Sequence, residues 1–77
     1  MTIEERVLSI IRNIDGDDTV KPSDTFDDIL FDSIDFALTS LEIEQKFALV
    51  IEDEKFDTFE KVSDLIDYVA KRVGNGN

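Results

Sequence analysis

The chain contains no cysteine and no histidine among its 77 residues. The absence of cysteine excludes a disulfide framework, a thiolate metal site and a thiol nucleophile of the chain's own, so any thiol that the protein uses must be imported. Without histidine, a serine-hydrolase mechanism has no obvious general base. We therefore expect a protein that is not an enzyme, with no catalytic residues and no metal site.

Long hydrophobic runs are also missing. No apolar stretch approaches the roughly 20 residues of a membrane-spanning helix, and residues 1–6 lack the apolar core of a signal peptide. We expect no membrane span and a cytoplasmic location. Because a chain of this length builds only one compact core, we also expect a single domain over residues 1–77. We further expect a monomer.

Basic residues are few: eight Lys and Arg stand against nineteen Asp and Glu, which gives a formal net charge of −11. Residues 15–60 hold fifteen acids and three lysines, a net charge of −12, whereas the remainder has four acids and five bases. Such a segment repels a phosphate backbone, so we expect no nucleic-acid partner, and it attracts proteins with Arg and Lys patches. A charged surface of this kind also serves solubility alone, and charge leaves both interpretations open.

Hydrophobic spacing predicts an all-α fold, a small bundle of three long helices and one short helix. A capping box formed by Thr2 and Glu5 starts the first helix, predicted over residues 3–14. A long loop of turn-forming residues follows, with three isolated apolar anchors at Val20, Phe26 and Ile29. The short helix is predicted near residues 52–56. The last helix is expected to begin at Ser63 or a neighbour and to stop at Gly74, with residues 74–77 as a disordered tail.

The second helix is predicted over residues 33–49, with Asp32 as its N-cap. Its apolar residues fall on two faces. The predicted core face consists of Phe36, Ala37, Ser40, Ile43, Phe47 and Val50. The other face, which we call the outer strip, consists of Ile34, Leu38 and Leu41. Since the first face already supplies the core, we expect the outer strip to be largely exposed, bordered by Asp35, Glu42 and Gln45.

Ser33 lies in the first turn of this second helix, directly after the long loop. A helix N-terminus offers unpaired N–H groups and a partial positive charge, which favour a phosphate attached there. Serine near a helix start also commonly acts as a cap and nothing more. The residues alone leave both roles open.

The segment Asp32-Ser33-Ile34-Asp35 resembles the Asp-Ser-Leu-Asp signature of acyl carrier proteins. The resemblance covers nearly the whole chain, and the positions that carry it outside the signature are residues 2–7, Phe26, Asp28, Ile43, Glu44, Phe47, Val62 and residues 65–69. It implies a carrier that holds acyl groups as thioesters on a 4′-phosphopantetheine arm. The arm is then attached to Ser33, with Asp32 as the helix cap beside it. The terminal thiol of the arm is the thiol that this cysteine-free chain must import.

The resemblance also implies the partners. A holo-acyl-carrier-protein synthase transfers the arm from coenzyme A to the serine with Mg²⁺. Acyl-transferring and chain-elongating enzymes of fatty-acid, polyketide or related biosynthesis then bind the second and third helices through basic docking patches. The implied partner face consists of Ile34, Asp35, Leu38, Leu41, Glu42, Glu44, Glu52, Asp53 and Glu54.

The chain departs from the family pattern at four positions. Leu30 stands where the family usually has glycine, so the turn before Asp32 is made without that residue's freedom of φ. Leu38 replaces a common glutamate, and Thr39 and Ser40 stand where aliphatic residues are typical. Neutral drift explains these departures, and so does a specialised carrier with different partners or cargo.

Two other classes of protein compete with a carrier. An acidic helical interaction module without a prosthetic group fits the charge equally well, and modification of Ser33 distinguishes the two. A calcium-binding loop at Asp15, Asp17 and Asp18 lacks the spacing and the closing glutamate of a twelve-residue calcium loop.

Overall fold

The computed structural model describes residues 2–75, with Asn75 by its backbone alone. Its helices are α1 (Ile3–Asp15), α2 (Ser33–Phe47), α3 (Asp53–Phe56) and α4 (Val62–Asn75). Helix α1 packs against both α2 and α4. The predicted all-α bundle of three long helices and one short helix is confirmed. None of the helices in this described part combines the length and the apolar character needed to cross a membrane.

Helix α1 begins and ends with the local signals that its sequence carries. The Thr2 hydroxyl accepts a hydrogen bond from the Glu5 N–H at 3.1 Å, and Glu5 Oε1 accepts one from the Thr2 N–H at 3.3 Å. The predicted capping box is therefore present. Gly16 ends the helix in the left-handed region (φ 78°) and donates its N–H to the Arg12 carbonyl oxygen at 2.8 Å.

Apolar side chains from all four helices form one core. Six aromatic rings make a continuous chain of contacts through it, with neighbouring centroids 5.0–5.6 Å apart: Phe31, Phe26, Phe36, Phe56, Phe59 and Tyr68. Tilted and edge-to-face pairs of this kind stabilise by more than their buried area alone. These six rings connect the loop before α2 to helix α4.

The long loop between α1 and α2 is held to the bundle, as its apolar anchors predicted. Val20 and Phe26 are buried and Ile29 is half-buried against the core. Antiparallel backbone bonds tie the loop to the start of α4, with the Phe26 N–H donating to Glu60 at 3.0 Å and the Val62 N–H donating to Asp24 at 2.9 Å. The loop therefore presents its last residues to α2 from a fixed position.

The core face predicted for α2 is wrong in part. Ile43 is buried, and Phe36, Ser40 and Phe47 are half-buried, but Ala37 and Val50 are exposed. The centre of the inner face runs instead through Thr39 and Ile43, which are both fully buried. Ala37 precedes Thr39 by two residues, roughly 200° around the helix, and therefore points away from the core.

The predicted end of α2 at residue 49 is also wrong. The helix ends at Phe47, and Ala48 adopts the left-handed region (φ 54°) and donates its N–H to the Glu44 carbonyl oxygen at 2.9 Å. The chain then changes direction, so that Leu49 is buried and Val50 is 60% exposed. A C-cap in this conformation is usually glycine, and the alanine here gave no such signal.

Helix α4 starts at Val62, and its first turn is stabilised by Asp64. One carboxylate oxygen of Asp64 accepts hydrogen bonds from the Glu60 and Lys61 N–H groups, each at 2.9 Å. The predicted stop at Gly74 is wrong, because the helix continues through Gly74 to Asn75. Residues 76 and 77 of the predicted tail lie outside the described residues.

Candidate functional site at the start of α2

Ser33 is the first residue of α2, and it is exposed. The N-cap is its neighbour Asp32, whose Oδ1 accepts a hydrogen bond from the Asp35 N–H at 2.9 Å. Asp35 Oδ2 in turn accepts one from the Asp32 N–H at 3.2 Å, which completes a capping box. The two aspartates thus fix the first turn, and Ser33 is left without a capping role. The cap at Asp32 was predicted, whereas the reciprocal bond of Asp35 was not.

The surroundings of this turn are strongly acidic. The C-terminal end of α1 lies near the N-terminal end of α2, and burial raises the pKa of Asp15, with the carboxylates of Asp17 and Asp35 raising it further. Asp17 accepts hydrogen bonds from the hydroxyl and N–H of Thr19 at 2.6 and 2.8 Å, which lower its own pKa. Among residues 2–75, no group of three or more acidic side chains is placed to hold a metal ion.

The turn that leads into α2 contains a strained residue. Leu30 has φ 59°, in the left-handed region that costs a residue other than glycine about 1–2 kcal/mol. Its N–H donates to the Asp27 carbonyl oxygen at 3.2 Å, and the next residue, Phe31, packs its ring against Phe26 and Phe36. The Leu30 side chain itself is 82% exposed. The sequence pointed to Leu30 in one way only: the family usually has glycine at this position.

The outer strip is exposed, as predicted. Ile34 is 68%, Leu38 46% and Leu41 55% exposed, and all three project from one side of α2. Leu38 is the most covered of the three, so about half of its side chain contacts the protein. The strip begins next to Ser33.

The structure places the acidic residues of the implied partner face in two groups. Glu44 lies on α2 and is exposed, whereas Glu42 is half-buried and its carboxylate lies 3.7 Å from Lys46 Nζ. These two glutamates flank the outer strip on opposite sides, since they are roughly 200° apart around the helix. The second group lies at the start of α3 and is exposed: Glu52, which is the N-cap, Asp53 and Glu54. Asp35 is half-buried and engaged in the capping box.

Comparison with known proteins gives consistent matches. Residues 5–69 match the family described as "Phosphopantetheine attachment site". An acyl carrier protein of Nitratidesulfovibrio vulgaris is 35% identical over 75 residues, which cover 94% of this chain and 99% of that one. Acyl carrier proteins of Chlorobium phaeobacteroides and Syntrophus aciditrophicus are 36% and 32% identical over 91% and 94% of this chain, and each match covers 94% of the relative. No solved structure gives a significant match.

Proposed function

The chain belongs to the acyl carrier protein family and carries acyl groups on phosphopantetheine, and we propose that Ser33 is the residue to which this arm is attached. One observation supports the choice of serine: Ser33 is exposed at the start of α2, while Asp32 provides the N-cap. Ser9 and Ser23 are exposed as well, but they stand outside the Asp-Ser-Ile-Asp signature. The family match leaves an interaction module without a prosthetic group unsupported.

The residues around Ser33 have distinct roles in this proposal. Loading forms a bond from the Ser33 oxygen to the phosphorus of the phosphopantetheinyl group and breaks the pyrophosphate bond of coenzyme A. Adenosine 3′,5′-bisphosphate leaves and the hydroxyl proton is released. The attached arm supplies the thiol that the sequence lacks. The partial positive charge at the start of α2 favours the attached phosphate. Asp32 and Asp35 hold the first turn in place through the capping box. The relatives are named as carriers, and we propose that this chain likewise has no catalytic activity of its own.

Membership of the family implies interaction with a synthase and with biosynthetic enzymes in general. We propose that these enzymes dock through basic patches onto the outer strip and onto the exposed acids of α2 and α3. The net charge of −12 over residues 15–60 supports such docking, because opposite charges steer the encounter. We further propose that the carrier acts as a monomer in the cytoplasm.

The outer strip is more apolar than the family pattern, since Leu38 stands where a glutamate is common. We propose that this makes the chain a specialised carrier, whose cognate enzyme covers the strip with an apolar surface. Buried apolar contacts at the centre of an interface contribute most of its binding energy. The exposure of all three strip residues supports this assignment.

A mass measurement tests the attachment residue. The apo chain is incubated with coenzyme A, Mg²⁺ and a holo-acyl-carrier-protein synthase, and its intact mass is followed. The wild type and the control Ser23→Ala gain the mass of one phosphopantetheine, and Ser33→Ala gains nothing. Because the Ser33 side chain is exposed, its removal costs no more than about 1 kcal/mol of stability, and the circular dichroism spectrum stays helical. Loading that persists in Ser33→Ala contradicts the proposal.

A further inference from the structure

We propose that Leu30 is a contact residue for the holo-acyl-carrier-protein synthase, an inference that rests on the proposed attachment at Ser33. Among the large hydrophobic residues that the structure describes, Leu30 is the most exposed, at 82%, and it precedes Ser33 by three residues. Ile34 follows Ser33 directly and is exposed as well. The serine therefore has an exposed apolar side chain on each side along the chain.

The backbone conformation of Leu30 supports a role in contacting a partner protein. Its left-handed conformation closes the turn through the hydrogen bond to Asp27, and glycine makes the same turn without a steric penalty. The leucine gains little burial in return, because its side chain points into solvent. Strain that packing does not offset is typical of functional positions.

Ala48 provides the comparison within the same chain. It also has a positive φ, of 54°, and it is exposed. It carries only a methyl group, and its N–H closes the last turn of α2 through Glu44, at the opposite end of the helix from Ser33. Substitution of either residue by glycine removes backbone strain, but only Leu30 loses a large apolar side chain near the attachment serine.

The synthase is the partner that fits this position. An enzyme that acts on the acyl group reaches the end of a long arm and has no need to cover the turn before α2. The enzyme that forms the bond to the Ser33 oxygen must cover the residues on both sides of it. The turn also carries exposed carboxylates at Asp27, Asp28 and Asp32. The complementary surface is therefore an apolar pocket with Lys or Arg at its rim.

Loading kinetics test the proposal, with the carrier concentration varied at fixed synthase, coenzyme A and Mg²⁺. Leu30→Gly and Leu30→Asn both tolerate the left-handed region, and both raise KM for the carrier by about fivefold or more, because they remove an apolar contact. Their kcat stays within about twofold, since the synthase's own machinery is unchanged. Leu30→Met keeps the wild-type KM. Ala48→Gly raises the melting temperature, as Leu30→Gly does, and leaves KM unchanged.

Three results would overturn the inference. The first is an unchanged or lower KM for Leu30→Gly and Leu30→Asn, which would show that the synthase does not contact the side chain. The second is a loss confined to kcat, which would show that the turn positions Ser33 instead. The third is normal loading followed by slower acyl transfer, which would assign Leu30 to a later enzyme. Failure of the wild type to load at Ser33 is a separate result and refutes the proposed function itself.

Discussion

The substitution Leu38→Glu restores the acid that the family usually has at this position, and its effect on stability can be estimated from the structure. Leu38 is 46% exposed, so about half of its side chain is in contact with the protein. Complete burial of a leucine contributes about 1.5–3 kcal/mol, so the loss of half costs at most about 1.5 kcal/mol. Glutamate has a similar helix propensity. Repulsion from Glu42, four residues on, adds about 0.2–0.5 kcal/mol.

We expect a destabilisation of about 1 kcal/mol, because the methylene groups of glutamate retain part of the leucine contacts. For a chain of this size the melting temperature falls by about 4–8 °C per kcal/mol. Thermal melting followed by circular dichroism measures this shift. Ile43→Glu is the matched control on the same helix: Ile43 is fully buried, and a carboxylate there should unfold the protein.

The functional effect of Leu38→Glu should exceed its effect on stability. We expect weaker binding to the cognate acyl-transferring enzyme, by about tenfold for a loss of 1.4 kcal/mol, and better use by housekeeping fatty-acid enzymes. Transfer rates from the loaded variant to each class of enzyme measure this change. Unfolding of Leu38→Glu would show that the outer strip belongs to the core, and unchanged partner choice would show that Leu38 is not a determinant of specificity.

Two further predictions concern charge. The melting temperature should rise with added salt or millimolar Mg²⁺, because counterions screen the repulsion among the acids of residues 15–60, and a midpoint that stays constant across the series would contradict this. Hydrogen bonds from the Lys61 and Glu60 N–H groups lower the pKa of Asp64 in the folded protein. The Asp64 carboxylate therefore stabilises the fold at pH values above the pKa that Asp64 has in the unfolded chain. This contribution is lost as the pH falls through the pKa that Asp64 has in the folded protein. The difference in unfolding free energy between the wild type and Asp64→Asn should therefore be largest near neutral pH and should shrink below about pH 4. A difference independent of pH would refute the role of the Asp64 charge.

The helix starts could be predicted because their signals are local. Thr2 with Glu5 specifies the start of α1, and Asp32 specifies the start of α2, each through bonds to residues within one turn. The end of α1 was predicted to within one residue, since Ile14 is the last apolar residue of the helical pattern and turn-forming residues follow it. The position of Ser33 at the start of α2 followed from the same reasoning.

The rotation of α2 could not be predicted as well, because its apolar residues lie on two faces. Thr39 is fully buried, although the spacing pattern left it off the predicted core face and only its family position, where aliphatic residues are typical, pointed to the inner side. Its hydroxyl donates to the Asp35 carbonyl oxygen at 2.8 Å, so the polar group is satisfied within its own helix and its burial costs little. Leu30 and Ala48 adopt left-handed conformations that their side chains disfavour, and residue type alone gives no sign of either.

Localisation of the arm within the loaded chain is the most direct test of the central claim. Trypsin cleaves after Arg12 and Lys46 but not between Lys21 and Pro22, so a single peptide of residues 13–46 holds the signature together with Ser23 and Ser40. Fragmentation of this peptide by tandem mass spectrometry assigns the added mass to one residue. We predict phosphopantetheine on Ser33 alone, and its presence on Ser23 or Ser40 would contradict the account.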